Sequence, residues 1–209
     1  MYFFREASTI TAKGRERMGM EREWKYRATS ELLDKVERET TGRYADRKTV
    51  IQMETTYLDT AEGDFAKRRW TLRVRKENGK PVVTLKTPAG DNLRGEWEHP
   101  GDTPDASRLL TLGAPEELKA LLQKPLIATC GARFTRRAVP MELADGCFAE
   151  LALDEGVLFR GERQAPLCEI EVEHKAGEAA ATEALAKLLE ARYGLQTETR
   201  SKHLRAMQL

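Results

Sequence analysis

From residue 20 onward, apolar and charged positions alternate along the chain. Leu72 and Val74 interleave with Arg73 and Arg75, Val83 and Leu85 with Thr84 and Lys86, and Leu93 and Trp97 with Arg94, Glu96 and Glu98. Leu151 and Leu153 alternate with Glu150, Ala152 and Asp154, and Cys168, Ile170 and Val172 alternate with Glu169, Glu171 and Glu173. A period of two belongs to strands, whose successive side chains point to opposite faces. The pattern predicts strands over about 20–27, 49–58, 69–76, 81–87, 92–99, 126–140, 147–154, 156–160 and 167–175. Asp59 to Asp64 reads as a turn. Glu77-Asn78-Gly79-Lys80 predicts a tight hairpin, because Asn-Gly tolerates positive φ.

Helical spacing occupies the remainder. One helix is expected over about 30–39, capped by Thr29 or Ser30, with Leu32, Leu33 and Val36 on its buried stripe. Residues 104–123 read as one or two helices, with a start at Pro115-Glu116-Glu117. A last helix is expected over about 178–193, with Leu185, Leu188 and Leu189 on one side and Gly194 past its end. Residues 198–209 read as a short basic tail. Strands that follow one another through short turns favour an antiparallel sheet, and about eight of them can close into a barrel. The fold class expected is α+β, a closed eight-stranded antiparallel barrel with helices packed on the outside. Residues 1–19 carry little periodicity and are expected to be a loose extension, with Met20 a candidate natural start; 20–209 form the domain.

The sorting of charge admits two arrangements. In an ordinary half-buried sheet the charged face meets water. In the inverse, the charged faces line a barrel interior and the apolar faces are covered by helices. Charge is sorted by strand, basic on some and acidic on others, and like charges two apart on one face repel unless something binds between them. A charged lumen cannot stay dry and empty, so it would hold water, cations and a polyanion. The first strand carries Glu21, Glu23 and Lys25 on one face, while Arg22 shares the other with Trp24 and Tyr26. Carboxylates about 7 Å apart suit a hard divalent cation, and the neighbouring ammonium suits a phosphate oxygen.

Composition narrows the partners. Lys and Arg number 35 against 34 Asp and Glu, so net charge offers no sign of a nucleic-acid partner. No apolar run approaches the roughly 18 residues of a membrane span. Three scattered Cys and three separated His argue against a disulfide scaffold or a zinc site, and a reducing cytoplasm is the expected compartment.

The ordered motifs resemble the CYTH superfamily, the triphosphate tunnel metalloenzymes. Glu21-x-Glu23-x-Lys25 is similar to its E-x-E-x-K signature. Tyr57-Leu58-Asp59-Thr60, Leu72-Arg73-Val74-Arg75, Thr84-Leu85-Lys86, Arg94 to Glu98, Glu150 to Gly156, Cys168 to Glu171 and Ser201-Lys202-His203 follow in order. Pro166 to Glu171 looks most like the bacterial inorganic triphosphatase branch. The resemblance favours the inverted barrel. It implies Glu21, Glu23, Glu169 and Glu171 as metal ligands with Asp154 and Glu96 or Glu98 nearby, and a bound pair of Mg²⁺ or Mn²⁺ ions. It implies Lys25, Arg73, Arg75, Lys86 and Lys202 on the phosphates. Another base is expected within Arg133-Phe134-Thr135-Arg136-Arg137, Arg136 before Arg133. Ala152 stands where some relatives carry a third acid.

The implied activity is a divalent-metal-dependent triphosphatase acting on inorganic tripolyphosphate. Glu21, Glu23 and Lys25 would form its catalytic motif. The alternatives are a class IV-type adenylate cyclase making cyclic AMP and pyrophosphate, a thiamine triphosphatase, or a non-catalytic polyphosphate-binding module. The expected partner is a small triphosphate, with no nucleic acid and no membrane; a homodimer is left open.

Overall fold

The structure is a computed structural model that describes residues 16–40, 42–90 and 93–209. Eight strands form one antiparallel sheet: β1 (Arg17–Arg27), β2 (Thr49–Thr60), β3 (Thr71–Glu77), β4 (Lys80–Gly90), β5 (Leu93–Pro100), β6 (Leu126–Glu142), β7 (Phe148–Arg160) and β8 (Arg163–Ala176). Their order is β5-β4-β3-β2-β6-β7-β8-β1, and β1 pairs with β5 as well as β8, so the sheet closes on itself. A two-residue strand, β9 (Gln196–Thr197), adds to the end of β1. The β3–β4 hairpin turns through Asn78 and Gly79 at φ 49° and 80°, the left-handed region such a turn requires.

Six helices complete the fold: α1 (Ser30–Thr40), α2 (Asp64–Lys67), α3 (Ala106–Thr111), α4 (Glu117–Leu121), α5 (Ala179–Tyr193) and α6 (Lys202–Met207). On one side, Leu33 and Val36 of α1 and Ala186 and Leu189 of α5 pack against Tyr26, Val139, Leu151, Leu153, Ile170 and Val172. On the other, Phe65, Leu109, Leu118 and Leu121 from α2, α3 and α4 cover Leu72, Val83 and Leu85. All these barrel residues are outward members of the alternating strands. The apolar face therefore looks out and is buried by helices, each such Leu or Ile contributing about 1.5–3 kcal/mol. Trp24, Trp70 and Trp97 pack in these same layers.

A third apolar cluster lies inside the barrel at one end. Met53, Tyr57, Cys130, Ala132, Phe134, Leu158 and Leu167 surround Ala206 of α6, which lies across that end. The Ser201 hydroxyl caps α6 by accepting from the Leu204 amide at 3.1 Å. Arg160 donates to the Met207 carbonyl.

Several expectations change. Of the stretch 1–19, residues 1–15 lie outside the described residues, while 17–19 begin β1 and pair with β5. The strands expected at 147–154 and 156–160 are one, β7. Gly156 is no break there: a Cβ on it would collide with the Arg133 carbonyl and Phe134 Cα, so glycine permits close strand approach. The basic tail contains α6, and the turn after Thr60 leads into α2. Asp59 shapes that region by accepting from the Thr60, Phe65 and Ala66 amides at 2.7, 2.9 and 3.0 Å.

Candidate functional site: a charged tunnel

Because the apolar faces look outward, the alternating charges converge inside. The lining includes Glu21, Glu23 and Lys25 of β1, Arg73 and Arg75 of β3, Lys86 of β4, Arg94 of β5, Arg136 of β6, Glu171 of β8, and Lys202 and His203 of α6. Cross-strand register stacks the acids into rows. Glu150 of β7 lies opposite Glu173 of β8, which lies opposite Glu23 of β1; one step nearer α6, Ala152, Glu171 and Lys25 align. Asp154 sits opposite Glu169 and, on its other side, opposite Arg136.

Near α6 the charges are closely compensated. One carboxylate oxygen each from Asp154, Glu169 and Glu171 lies within 4.8 Å of the others. The Lys202 ammonium is 2.8 Å from both Asp154 and Glu171 and also contacts Glu169. Arg136 holds Asp154 through two hydrogen bonds, 2.8 and 2.7 Å, and reaches Glu171 at 2.5 Å. Arg205 adds a contact to Glu169 at 2.8 Å. Burial would raise the Glu171 pKa, but Lys202, Arg136 and Lys25 together hold it well below the carboxylate range. Burial pushes Glu169 up to about 7, with the Glu171 charge adding to it against Lys202 and Arg205.

Toward the other end, acids outnumber their cations. Lys86 contacts Glu21 at 2.5 Å and Glu96 at 3.1 Å. Lys175 contacts Glu173 at 2.7 Å and Glu150 at 3.6 Å. Each ammonium there serves two carboxylates. Burial pushes the Glu173 carboxyl up to about 7, and Glu21 and Glu96 contribute against Lys175. Glu23 meets the Lys25 ammonium at 3.3 Å.

Between these acids stands a basic wall. Arg75 lies 2.5 Å from Glu77 and 3.5 Å from Glu98; Arg73 comes no closer than 3.7 Å to Glu96 and 4.0 Å to Glu98. Glu98 also accepts from Thr84 at 2.8 Å. Burial opposes its ionisation, but Arg75 and Arg73 hold its pKa down. The buried Arg73 Nε and Nη2 and Arg75 Nε have no hydrogen-bond partner among the described residues. Buried guanidinium donors are costly to leave unpaired and suit an anion's oxygens.

The alternation therefore brings together every site residue expected from the sequence except Arg133. Arg133 has the opposite parity to Arg136: it is exposed and stacks on the Phe159 ring at 4.9 Å, outside the tunnel. Arg137 also faces outward and pairs with Asp34 and Glu37 of α1. Glu98 is surrounded by Arg73, Arg75 and Thr84, which fits it as a partner of the basic wall rather than a cation ligand. Glu173, Arg94, Tyr57, Phe134 and His203 were not among the expected site residues. Glu173 was legible as the third acid of a period-two run, whereas Arg94 and Tyr57 sit on strands already recognised. His203 depended on seeing α6.

A broader hollow outside the barrel, lined by His99, Asp105, Arg108 and Lys119, has no comparable convergence of charge. His99 is engaged there with the Asp105 amide and the Pro100 carbonyl.

Fold and lining together define a closed antiparallel barrel enclosing a tunnel of opposed acidic and basic walls. A CYTH domain model matches residues 19–207, and the chain belongs to that family. An inorganic triphosphatase of Haemophilus influenzae is 32% identical over 129 residues, 58% of this chain and 36% of that protein. This chain thus spans little more than a third of that relative. Among solved structures, a candidate adenylate cyclase of Bacillus halodurans superposes with a TM-score of 0.59 at 16% identity, covering 90% of this chain and 97% of that one. The candidate adenylyl cyclase HpAC1 from Hippeastrum, described as having a dominant triphosphatase activity, gives 0.55 at 16%, covering 90% and 94%. The PH1819 protein of Pyrococcus horikoshii gives 0.55 at 25% identity, covering 87% and 94%. No helix among the described residues is long and apolar enough to cross a membrane.

Proposed function

We propose that the protein is a divalent-metal-dependent triphosphatase whose substrate is inorganic tripolyphosphate. The observation that carries this reading is the set of buried, unpartnered guanidinium donors on Arg73 and Arg75, facing into a lumen that also presents Lys25, Lys86, Arg136 and Lys202. An extended anion of roughly four to five negative charges matches that wall, and positioning with charge neutralisation accounts for most of what phosphoryl transfer asks of a protein. The inorganic triphosphatase of H. influenzae supports the hydrolase reading.

The donor chemistry fits Mg²⁺ or Mn²⁺, since both prefer carboxylate oxygens. Glu21, Glu23 and Glu173, with Glu96 and Glu150 beside them, would hold such an ion where lysines are too few for the acids. The Asp154, Glu169 and Glu171 cluster offers a second set of oxygens with Lys202 already lodged in it. When bound, the ion supplies charge neutralisation and a water of lowered pKa. The chain's own residues do the rest. Arg73, Arg75 and Lys86 orient the phosphoryl oxygens. Lys25 and Lys202 are held by Glu23 and by the deep acids, so their ammonium groups stay fixed in the lumen. Phe134 and the α6 cluster seal the far end against bulk water.

A substrate panel tests the assignment. Tripolyphosphate, ATP and thiamine triphosphate are each incubated with Mg²⁺ and with Mn²⁺, and products are separated by ion chromatography. The expected outcome is fastest phosphate release from tripolyphosphate. Cyclic AMP formed from ATP would replace this reading by the cyclase, and tight binding without turnover would replace it by a binding module.

A further inference from the structure

His203 stands apart from the rest of the lining. It follows Lys202 on α6 and lies in the same tunnel, with its ring 4.8 Å from that of Tyr57 and inclined at 40°. Among the described residues its ring nitrogens make no hydrogen bond. Arg94, which also lines the tunnel, has no ion pair among the described residues either. Lys25, Arg73, Arg75, Lys86, Arg136 and Lys202 all have carboxylate neighbours within 4.0 Å. Among the described residues, Arg94 without an ion pair and the His203 imidazole without a ring hydrogen bond thus stand beside the unpartnered donors of Arg73 and Arg75.

We infer that His203 takes up a proton when a polyphosphate enters, and that with Arg94 it grips the phosphoryl group nearest α6. This rests on the functional reading above and adds a further contact to it. In the free protein, burial holds the imidazole pKa below its ordinary value; the Asp59 carboxylate opposes that and the Arg94 guanidinium reinforces it. The Tyr57 ring of β2 packs against the imidazole, Arg73 of β3 and Lys202 of α6 line the same tunnel, and Cys130 of β6 contacts the His203 carbonyl rather than its ring. A bound anion favours the charged ring, and by reciprocity the charged ring favours the anion. A rise of one pKa unit on binding corresponds to about tenfold tighter binding to the protonated form.

The chain has three histidines, so ¹⁵N imidazole resonances can be followed individually, with His203→Gln as the assignment. The full chain is titrated in pH with and without the imido analogue of tripolyphosphate, once in EDTA and once with Mg²⁺, and binding is followed by calorimetry. The expected result is a His203 midpoint that rises by at least one pH unit when the analogue is bound. An unmoved midpoint with the analogue bound overturns this proposal alone. No binding under either condition overturns the functional reading, and this proposal with it. His203→Gln provides a second readout: its KM for tripolyphosphate, relative to wild type, is expected to be about tenfold higher at pH 6 and to converge at high pH. A ratio that is constant across pH would mean that the ring only packs, and would overturn the proposal.

Discussion

β8 carries Glu169, Glu171 and Glu173 on one inward face, and the two ends of that short row lie in different surroundings. At the α6 end, three acids meet three cations: Asp154, Glu169 and Glu171 face Lys202, Arg136 and Arg205. At the other end, Glu150 and Glu173 share one lysine, and Glu21 and Glu96 share another. The same residue type at the same period is matched by cations in one place and outnumbers them in the other. The deep group holds its cations in place, while the outer group has more acids than lysines; in the proposed reading the first would present cations to phosphate and the second would take the charge of a divalent ion. What a carboxylate does in this tunnel therefore follows from the ratio of acids to cations around it more than from its own burial.

The largest expected effect tests the outer group. Glu23→Ala should lower metal-dependent phosphate release from tripolyphosphate by at least a hundredfold with the fold intact by circular dichroism, since one ligand removed from an ion site weakens it steeply. Activity within threefold of wild type would mean that this row is not the ion site.

The deep group should answer differently. Asp154→Ala removes the carboxylate that takes two hydrogen bonds from Arg136 and a contact from Lys202, so three buried cations face two acids; breaking a buried pair costs up to about 3–5 kcal/mol. Urea unfolding should register that loss even without divalent ions, whereas Glu23→Ala, whose lysine keeps other acids nearby, should shift the midpoint far less. Equal losses in the two variants would erase the distinction between the two regions.

The smallest effect concerns pH. The Glu173 carboxyl lies at about 7 in the folded protein, raised from 4.5. The fold thus disfavours its ionised form, and the wild type loses stability as pH rises from the unfolded value through 7. Glu173→Gln cannot ionise, so the metal-free variant should be more stable than wild type at pH 8, by about 2–3 kcal/mol at most. The two should match near pH 4. A gain that does not change with pH would place the effect elsewhere.

Much of this tunnel was legible in the chain. Period-two alternation identified the strands, the sorting of basic and acidic residues hinted at an inward face, and the Glu21-x-Glu23-x-Lys25 motif joined the two. What alternation could not supply was the side of the sheet on which the helices lie, which decides between a wet outer face and a lumen. Arg133 illustrates the limit: in a run with three arginines, parity separates Arg136 from Arg133 but does not say which set is inside. Glu173 is the third acid of a period-two run, but nothing local shows that Glu150 and Glu23 come to flank it from two other strands. His203 stands in the Ser201-Lys202-His203 motif, but its place in the lumen and that of Arg205 follow from a six-residue helix too short for a helical period to register. Their roles depend on the Ser201 cap and on burial of Ala206, which are tertiary facts.

The most direct test of the central claim is ³¹P spectroscopy of tripolyphosphate with the wild-type protein, with Mg²⁺ or Mn²⁺ and again in excess EDTA. The account predicts that the tripolyphosphate signals are replaced by those of pyrophosphate and phosphate with the metals, and persist in EDTA. Tripolyphosphate left intact under both metals, or consumed equally fast in EDTA, would contradict it.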